Sequence, residues 1–300
     1  MIYDVIIVGA GPAGLSAALI LGRCCRNVLV LDSNEPRNAV SRGLHGYLTR
    51  DGIGPYDLRA AGRAEIARYP SVCLREGKVI EVTREPDGFR VATAEASECS
   101  RILLLATGRI DPLPQIPGFR EFYGRGVYHC PYCDGWEHRD QSLVVFGGGA
   151  SGASMAEELL TWSRRVAICT NGERCANGGE GLRVPEGVQV EDEPIKQLHG
   201  TETGLAEICF ASGKIISCDA LFFCSSCTQR SELPERLGCR FDADLSVLCE
   251  NHTAAGVPGL FIAGNVRGGV HLAITAAAEG AEAAIAINDA LSSQRRAGNL

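Results

Sequence analysis

The stretch Tyr3-Asp4-Val5-Ile6-Ile7-Val8-Gly9-Ala10-Gly11-Pro12-Ala13-Gly14 decides the fold. Its first half is a short apolar run rich in β-branched residues, as a buried strand requires, and a helical pattern follows through Leu21. A second strand is expected over residues 26–31, ending in Asp32, 18 residues after Gly14. Strand, glycine turn, helix, strand and acid in this order describe a dinucleotide-binding unit. The glycines let the backbone turn sharply and approach a pyrophosphate, which sits at the positive end of the helix, while the acid accepts hydrogen bonds from a ribose. The competing reading is a glycine turn that only joins strand to helix.

Shifted by 138 positions, the pattern returns. Residues 143–146 are apolar, Gly147, Gly149 and Gly152 repeat the spacing, and a helix through Trp162 leads to a strand at 166–169. The acid does not return: its place is taken by Thr170, followed by Asn171, and Arg164 and Arg165 precede the strand instead of following it. The second fold has the phosphate cradle without the usual ribose reader. A duplicated fold that no longer binds a nucleotide is the alternative.

Residues 101–108, ending in Ala106-Thr107-Gly108, read as a buried strand and a small-residue turn, and Pro112, Pro114 and Pro117 mark a connection. Residues 259–265 read as another buried strand and 272–291 as an Ala-rich helix, too little to stand alone. The expected architecture is α/β with two Rossmann-like domains, the second (119–244) inserted in the first (1–118 and 245–300).

Three hundred residues fit two domains, and 45% hydrophobic with 22% charged residues is an ordinary globular balance. A net charge of −7 argues against nucleic-acid binding, which needs clustered cations. Gly9, Gly11, Pro12 and Gly14 interrupt the apolar stretch 5–21, which is therefore no signal peptide, and no run reaches the ~20 apolar residues of a membrane span. The 14 cysteines are scattered, so a reducing, cytoplasmic setting is expected, with most thiols serving as small buried hydrophobes. Cys24-Cys25 is expected on a helix, pointing two ways and unpaired.

Cys130-Pro131-Tyr132-Cys133-Asp134-Gly135 has the spacing of a reversible disulfide. Asp134 follows directly, where a carboxyl group can pass a proton to or from a leaving thiol. A four-cysteine zinc site with Cys224 and Cys227, or two unreactive cysteines, are the other readings. His129 and His138 flank the motif, as proton carriers or as surface or packing residues.

Taken together, these motifs resemble the low-molecular-weight thioredoxin reductases and their relatives, the gliotoxin-type dithiol oxidases and the diflavin-linked disulfide oxidoreductases. Arg37-Asn38 and the stretch His45-Gly46-Tyr47-Leu48-Thr49-Arg50-Asp51-Gly52 look closer to the dithiol-oxidase side. The resemblance implies FAD, with its pyrophosphate at Gly9, Gly11, Pro12, Ala13 and Gly14, its adenosine ribose at Asp32 and its isoalloxazine near Gly264, Asn265 and Ala273. Arg37, Asn38, His45, Ala106, Thr107 and Gly108 complete the implied set. It further implies that Cys133 exchanges electrons with the flavin, that Cys130 meets the substrate, that Asp134 is the acid–base group, and that the protein is a homodimer.

Three departures stand out. Asn265 replaces the family's carboxylate beside the ribityl chain, and His271-Leu272-Ala273 replaces Arg-Gln-Ala at the start of the last helix. Thr170-Asn171-Gly172-Glu173-Arg174 replaces the basic segment that holds NADPH. The expectation is an FAD-dependent disulfide oxidoreductase acting on a thioredoxin-like protein or another thiol substrate without NADPH. Ferredoxin or oxygen would be the redox partner, or a second FAD would sit at Gly147, Gly149 and Gly152. An oxygen-dependent oxidase of a small dithiol and a non-catalytic flavin redox sensor are the alternatives.

Overall fold

A computed structural model describes residues 2–172, 184–254 and 256–296. The chain begins with strand β1 (Ile2–Val8), helix α1 (Pro12–Arg23) and β2 (Val28–Asp32). It continues with α2 (Pro55–Ile66), β3 (Val72–Glu76), β4 (Val79–Glu85), β5 (Gly88–Thr93), β6 (Ser97–Leu105) and β7 (Arg109–Ile110). A second set follows: α3 (Phe119–Phe122), β8 (Val127–Tyr128), α4 (Pro131–Asp134), β9 (Ser142–Phe146), α5 (Gly149–Leu159), β10 (Arg165–Cys169) and β11 (Gln189–Glu191). Then come β12 (Ile195–Thr201), β13 (Gly204–Phe210), β14 (Ile215–Ser217) and β15 (Ala220–Phe223). The chain closes with β16 (Thr228–Gln229), α6 (Leu233–Arg236), β17 (Cys249–Glu250), β18 (Thr253–Ala254), β19 (Leu260–Ile262) and α7 (Ala273–Arg296).

These elements form two units. The first comprises residues 1–39, 46–110 and 227–300, the second 40–45 and 111–226. In the first, β19, β6, β1, β2 and β3 lie side by side and parallel, and β4–β5 and β17–β18 extend the same sheet antiparallel. Because successive side chains on a strand point to opposite faces, the two faces of the sheet make separate cores. Val5, Ile7, Val28, Val30, Ile102 and Leu104 pack with the small residues of α1 and α7. Ile6, Val8, Leu29, Leu31, Leu103 and Leu105 pack with Phe89, Val91 and the returning segment. The helices cross so closely that a Cβ at Gly280 would lie 2.0 Å from the Ala13 carbonyl oxygen.

The second unit has a parallel sheet in the order β11-β10-β9-β15-β8 and a three-stranded antiparallel sheet β12-β13-β14. Phe119, Phe122, Phe210 and Phe223 fill one core, and Leu143, Val145, Ile168 and Phe222 another.

The seams lie away from the sequence expectation of 119 and 244. Residues 111–118 belong to the second unit because Leu113 and Ile116 pack on its aromatic core. Residues 227–244 belong to the first because Leu233, Leu237, Cys239 and Phe241 pack beneath its sheet, and β16 pairs antiparallel with β7. Two cysteine expectations also change. Helix α1 ends at Arg23, so Cys24 is its cap and Cys25 follows in a left-handed conformation, φ 55°, both exposed. Among the described free cysteines only Cys169, Cys218 and Cys239 are buried. Others sit on exposed edges, as Cys73 does on the outermost strand β3. Burial pushes the three buried thiols up to about 12, 12 and 11, which leaves them protonated and inert. Among the described residues no helix is long and apolar enough to cross a membrane.

Candidate active site

The second unit carries the redox pair. Strand β8 delivers the chain to Cys130, which caps the short helix α4, and Pro131 starts it, a position where a missing N–H costs nothing. One helical turn brings Cys133 back beneath Cys130: its N–H donates to the Cys130 carbonyl, the Cα atoms are 5.3 Å apart, and the sulfurs are joined in a disulfide. Gly135 is required next, since a Cβ there would lie 2.6 Å from the Pro131 carbonyl oxygen and 2.7 Å from the Trp162 ring. Burial, reinforced by the nearby negative charge of Glu137, pushes the Asp134 carboxyl up to about 7. The sequence motif thus places a carboxyl group that is a proton donor near neutral pH directly after the second cysteine.

His45, expected in the cofactor set, lies in the second unit, its Nε2 3.6 Å from Glu137 Oε1. His138 stacks on Tyr128 and its Nδ1 lies 2.8 Å from Gln141 Oε1, which makes it a packing residue. Cys227 is a free thiol. The Cys224 sulfur lies 3.9 Å from Met155 Sδ, and the Arg109 guanidinium donates to the Cys227 sulfur at 3.2 Å. Sequence reasoning missed Glu137 and the Asp111–Tyr123–Ser225 cluster beside His129.

The first unit carries a dinucleotide cradle. Gly9 adopts φ 104°, and a Cβ there would lie 2.4 Å from the Ala106 carbonyl oxygen, so the turn can be only glycine. A Cβ at Gly14 would lie 1.8 Å from the Gly9 carbonyl oxygen, whereas the space at Gly11 and at Gly108 is open. Gly11 caps α1 without any side-chain hydrogen bond, which leaves the first N–H groups of the helix for an anion. The Thr107 hydroxyl is buried with no hydrogen-bond partner among the described residues, a group waiting for a ligand. Arg37 and His271, from the two segments that depart from the reductase pattern, meet through a 3.1 Å contact between Nη1 and Nδ1. These features fit FAD.

Two implied flavin contacts are already engaged. Asp32 Oδ1 accepts the Ala10 N–H at 2.9 Å, while Oδ2 takes Arg59 at 2.5 Å and Arg63 at 2.7 Å, so a ribose would share this carboxylate with two guanidinium groups. Arg59 and Arg63 stand one turn apart on α2, and both also donate to Asn34 Oδ1, at 3.0 and 3.4 Å. The Gly264 N–H donates to Glu279 Oε2 at 2.8 Å, and burial raises that carboxyl above its ordinary range. Asn265 sits in the turn Gly264–Arg267, and Ala273 opens α7.

The second cradle repeats the closing contact of the first, with its helix starting one residue earlier. A Cβ at Gly152 would lie 2.3 Å from the Gly147 carbonyl oxygen, Gly149 is open, and Gly148 caps α5 without a side-chain bond. Beyond β10 the likeness stops: the Thr170 hydroxyl donates to Asp192 Oδ1 at 2.9 Å and Asn171 Oδ1 accepts the Ile195 N–H at 2.8 Å. Glu173 and Arg174 lie outside the described residues.

Residues 3–280 match the pyridine nucleotide-disulphide oxidoreductase family. A probable thioredoxin reductase of Arthroderma benhamiae is 40% identical over 57% of this chain, a match that spans 44% of the relative's own length. Thioredoxin reductase aclD of Aspergillus oryzae is 33% identical over 67% of this chain and 68% of its own. Among solved structures, a Bacillus anthracis protein bearing the thioredoxin reductase name TrxB superposes with a TM-score of 0.91 at 32% identity, covering 97% of this chain and 99% of that one. The family implies flavin use, in agreement with the cradle at Gly9, Gly11, Gly14 and Thr107. With two dinucleotide folds, a glycine cradle open for a pyrophosphate and a Cys-x-x-Cys disulfide followed by an aspartic acid, the chain belongs to the pyridine nucleotide-disulphide oxidoreductases and is thioredoxin reductase-like.

Proposed function

We propose that the protein is an FAD-dependent thiol–disulfide oxidoreductase that exchanges an electron pair between flavin and a thioredoxin-like protein or another dithiol through Cys130 and Cys133, without NADPH. The observation that carries this reading is the disulfide on α4 followed by a carboxyl group pushed up to about 7. FAD, when bound, supplies the two-electron acceptor or donor. A substrate thiolate attacks the Cys130 sulfur, the bond to Cys133 breaks, and the leaving Cys133 thiolate takes the proton of Asp134. In the first fold, the uncapped helix start and the Thr107 hydroxyl bind the cofactor. Against NADPH stands the second fold, whose Thr170 and Asn171 spend their polar atoms on Asp192 and Ile195 where a ribose reader would stand.

The experiment is anaerobic stopped-flow reduction of the purified flavoprotein. Dithiothreitol or reduced thioredoxin is expected to bleach the flavin, micromolar NADPH to leave it oxidised, and Cys130→Ser to abolish turnover. Bleaching by NADPH overturns the exclusion of pyridine nucleotide, and turnover that survives Cys130→Ser overturns the proposal. The flavin-to-protein ratio tests whether the second cradle holds another FAD. The stretch 45–52 favours a second reading, an oxygen-using dithiol oxidase, for which rapid reoxidation in air with peroxide formed is the signature.

A further inference from the structure

The first unit brings together two cysteines that the reaction above does not use, at the open end of a hairpin over residues 239–249. The Asp242 N–H donates to the Ser246 carbonyl at 3.0 Å and the Leu248 N–H to the Arg240 carbonyl at 2.8 Å, and between these bonds Phe241 pairs antiparallel with Val247. Past Arg240 and Leu248 the same register sets Cys239 opposite Cys249. Like Phe241 and Val247, they stand at a non-hydrogen-bonded site of the ladder, where opposed Cα atoms are about 4.5 Å apart. A disulfide bridges Cα atoms about 4.4–6.8 Å apart, so this site suits one.

Opposed residues in such a pair point to the same face, and the burial agrees. Cys239 and Val247 lie in the core beneath the sheet, with Phe241 packed against it, and Cys249 is partly buried at the start of β17. The two thiols also sense each other: burial, reinforced by the charge of Cys249, raises the Cys239 thiol to about 11. The tip of the hairpin is already pinned. Arg109, itself buried, donates from Nη1 to the Asp244 carbonyl and from Nη2 to Ser246 Oγ, both at 2.9 Å. Asp242 Oδ1 accepts the Asp244 and Ser246 N–H groups at 2.9 and 2.8 Å. The open end is held by the bond from Leu248 to Arg240, and beyond it the two sulfurs face each other.

We propose that Cys239 and Cys249 are a second redox pair, which a small disulfide such as glutathione disulfide converts to a cross-strand disulfide. Cys239 is protonated, closed off and inert towards reagents in solution, so the exchange enters at Cys249. That thiol is partly exposed, and the Arg267 guanidinium hydrogen-bonded to it opposes the rise that burial imposes. The Cys249 sulfur attacks one sulfur of the reagent, whose S–S bond breaks, and one glutathione departs. The Cys239 sulfur then attacks the Cys249 sulfur of the mixed disulfide and expels the second glutathione. This step needs no access to solvent, because the target is the facing sulfur. The two cysteine protons end on the two departing glutathione thiols, and two electrons have passed from the cysteines to the reagent. The new bond ties the open end of the hairpin as Arg109 ties its tip.

The test is peptide mapping by mass spectrometry of the full-length flavoprotein, reduced, freed of reductant and incubated with glutathione disulfide, then blocked with N-ethylmaleimide and digested without reductant. Trypsin cuts after Arg240, so the two cysteines fall on separate peptides. Wild type is expected to lose the maleimide label from both and to give the two peptides joined, a link that dithiothreitol undoes. In Cys239→Ala the exchange should stop halfway, with glutathione held on Cys249, and in Cys249→Ala the Cys239 thiol should take up no glutathione. Oxidation of Cys130 with Cys133 in the same digest shows that the reagent has acted. If that pair is oxidised while Cys239 and Cys249 keep their labels, or if wild-type Cys249 retains glutathione unresolved, the proposal is overturned. A link from either cysteine to a third overturns it as well, and glutathione on Cys239 in Cys249→Ala overturns entry at Cys249. The wild-type map alone decides the pairing should a variant fail to fold. Because the map reads thiols and not turnover, its outcome stands apart from the function proposed for Cys130.

Discussion

Replacing Asp134 by Asn should stabilise the fold and slow the reaction at the same time, and the pH at which each effect appears follows from one carboxyl group. Burial and Glu137 lift that group from 3.8 to about 7. Between those values the folded chain holds a proton that the unfolded chain has released, so stability falls as pH rises through about 4 to 7. At about 1.4 kcal/mol per pH unit the full penalty above pH 7 is at most about 4 kcal/mol. The side chain is partly open to water, and screening reduces this to about 2 kcal/mol. Asparagine has no charge to bury, so urea denaturation of the flavin-loaded protein should show wild type losing about 1 kcal/mol more than Asp134→Asn between pH 5 and 8.5, the part of the penalty that falls in that window. Turnover with a dithiol should fall in the variant, and the wild-type inflection near pH 7 should vanish. If the stability difference between the two proteins is the same at every pH, Asp134 does not carry its proton as the geometry requires.

The crossing of α1 and α7 should not tolerate a methyl group. In Gly280→Ala the new Cβ meets the Ala13 carbonyl oxygen at 2.0 Å, and urea denaturation should show a loss of about 2 kcal/mol or more. Arg59→Met strips one of two guanidinium groups from the buried Asp32 carboxylate and should cost about 3 kcal/mol. Adding Asp32→Asn should recover part of that loss, and simple additivity of the two costs would refute the pairing. Thr107→Val removes a buried hydroxyl that makes no hydrogen bond among the described residues. It should weaken FAD binding about tenfold by fluorescence titration while leaving the stability of the flavin-free protein unchanged.

What the sequence made legible was whatever repeats with a period or is forced by sterics. The runs 3–8 and 101–105 read as strands because they are apolar on both faces of a covered parallel sheet, and both faces are filled, Val5 and Ile7 on one side, Ile6 and Val8 on the other. The seam between the units left no such trace. Strands β7 and β16 are two residues each, and the returning segment announces itself only through Leu233, Leu237 and Phe241, whose spacing of four imitates a helix although only Leu233–Arg236 is helical. At the site, the residue types that do chemistry were visible as Cys130, Cys133 and Asp134. The cluster around His129 was not, because Asp111 and Ser225 are 114 residues apart in the chain, and no spacing rule joins them.

The two glycine cradles show why one half of a binding motif outlasts the other. Each cradle is fixed by contacts of its own backbone: Gly14 against the Gly9 carbonyl and Gly152 against the Gly147 carbonyl, where any side chain would collide. Such a position can be occupied only by glycine whether or not a nucleotide binds, so the fingerprint persists as a condition of folding. The ribose reader carries no such constraint, since it needs only some polar partner. Asp32 finds Arg59 and Arg63 on α2, while Thr170 finds Asp192 just beyond β11, and each arrangement satisfies its buried polar atoms equally well. Glycine spacing therefore reports a fold, and the residue at the end of the second strand reports a ligand. Here the two folds agree in the first signal and differ in the second, which is why the proposed chemistry assigns FAD to the first cradle and withholds NADPH from the other.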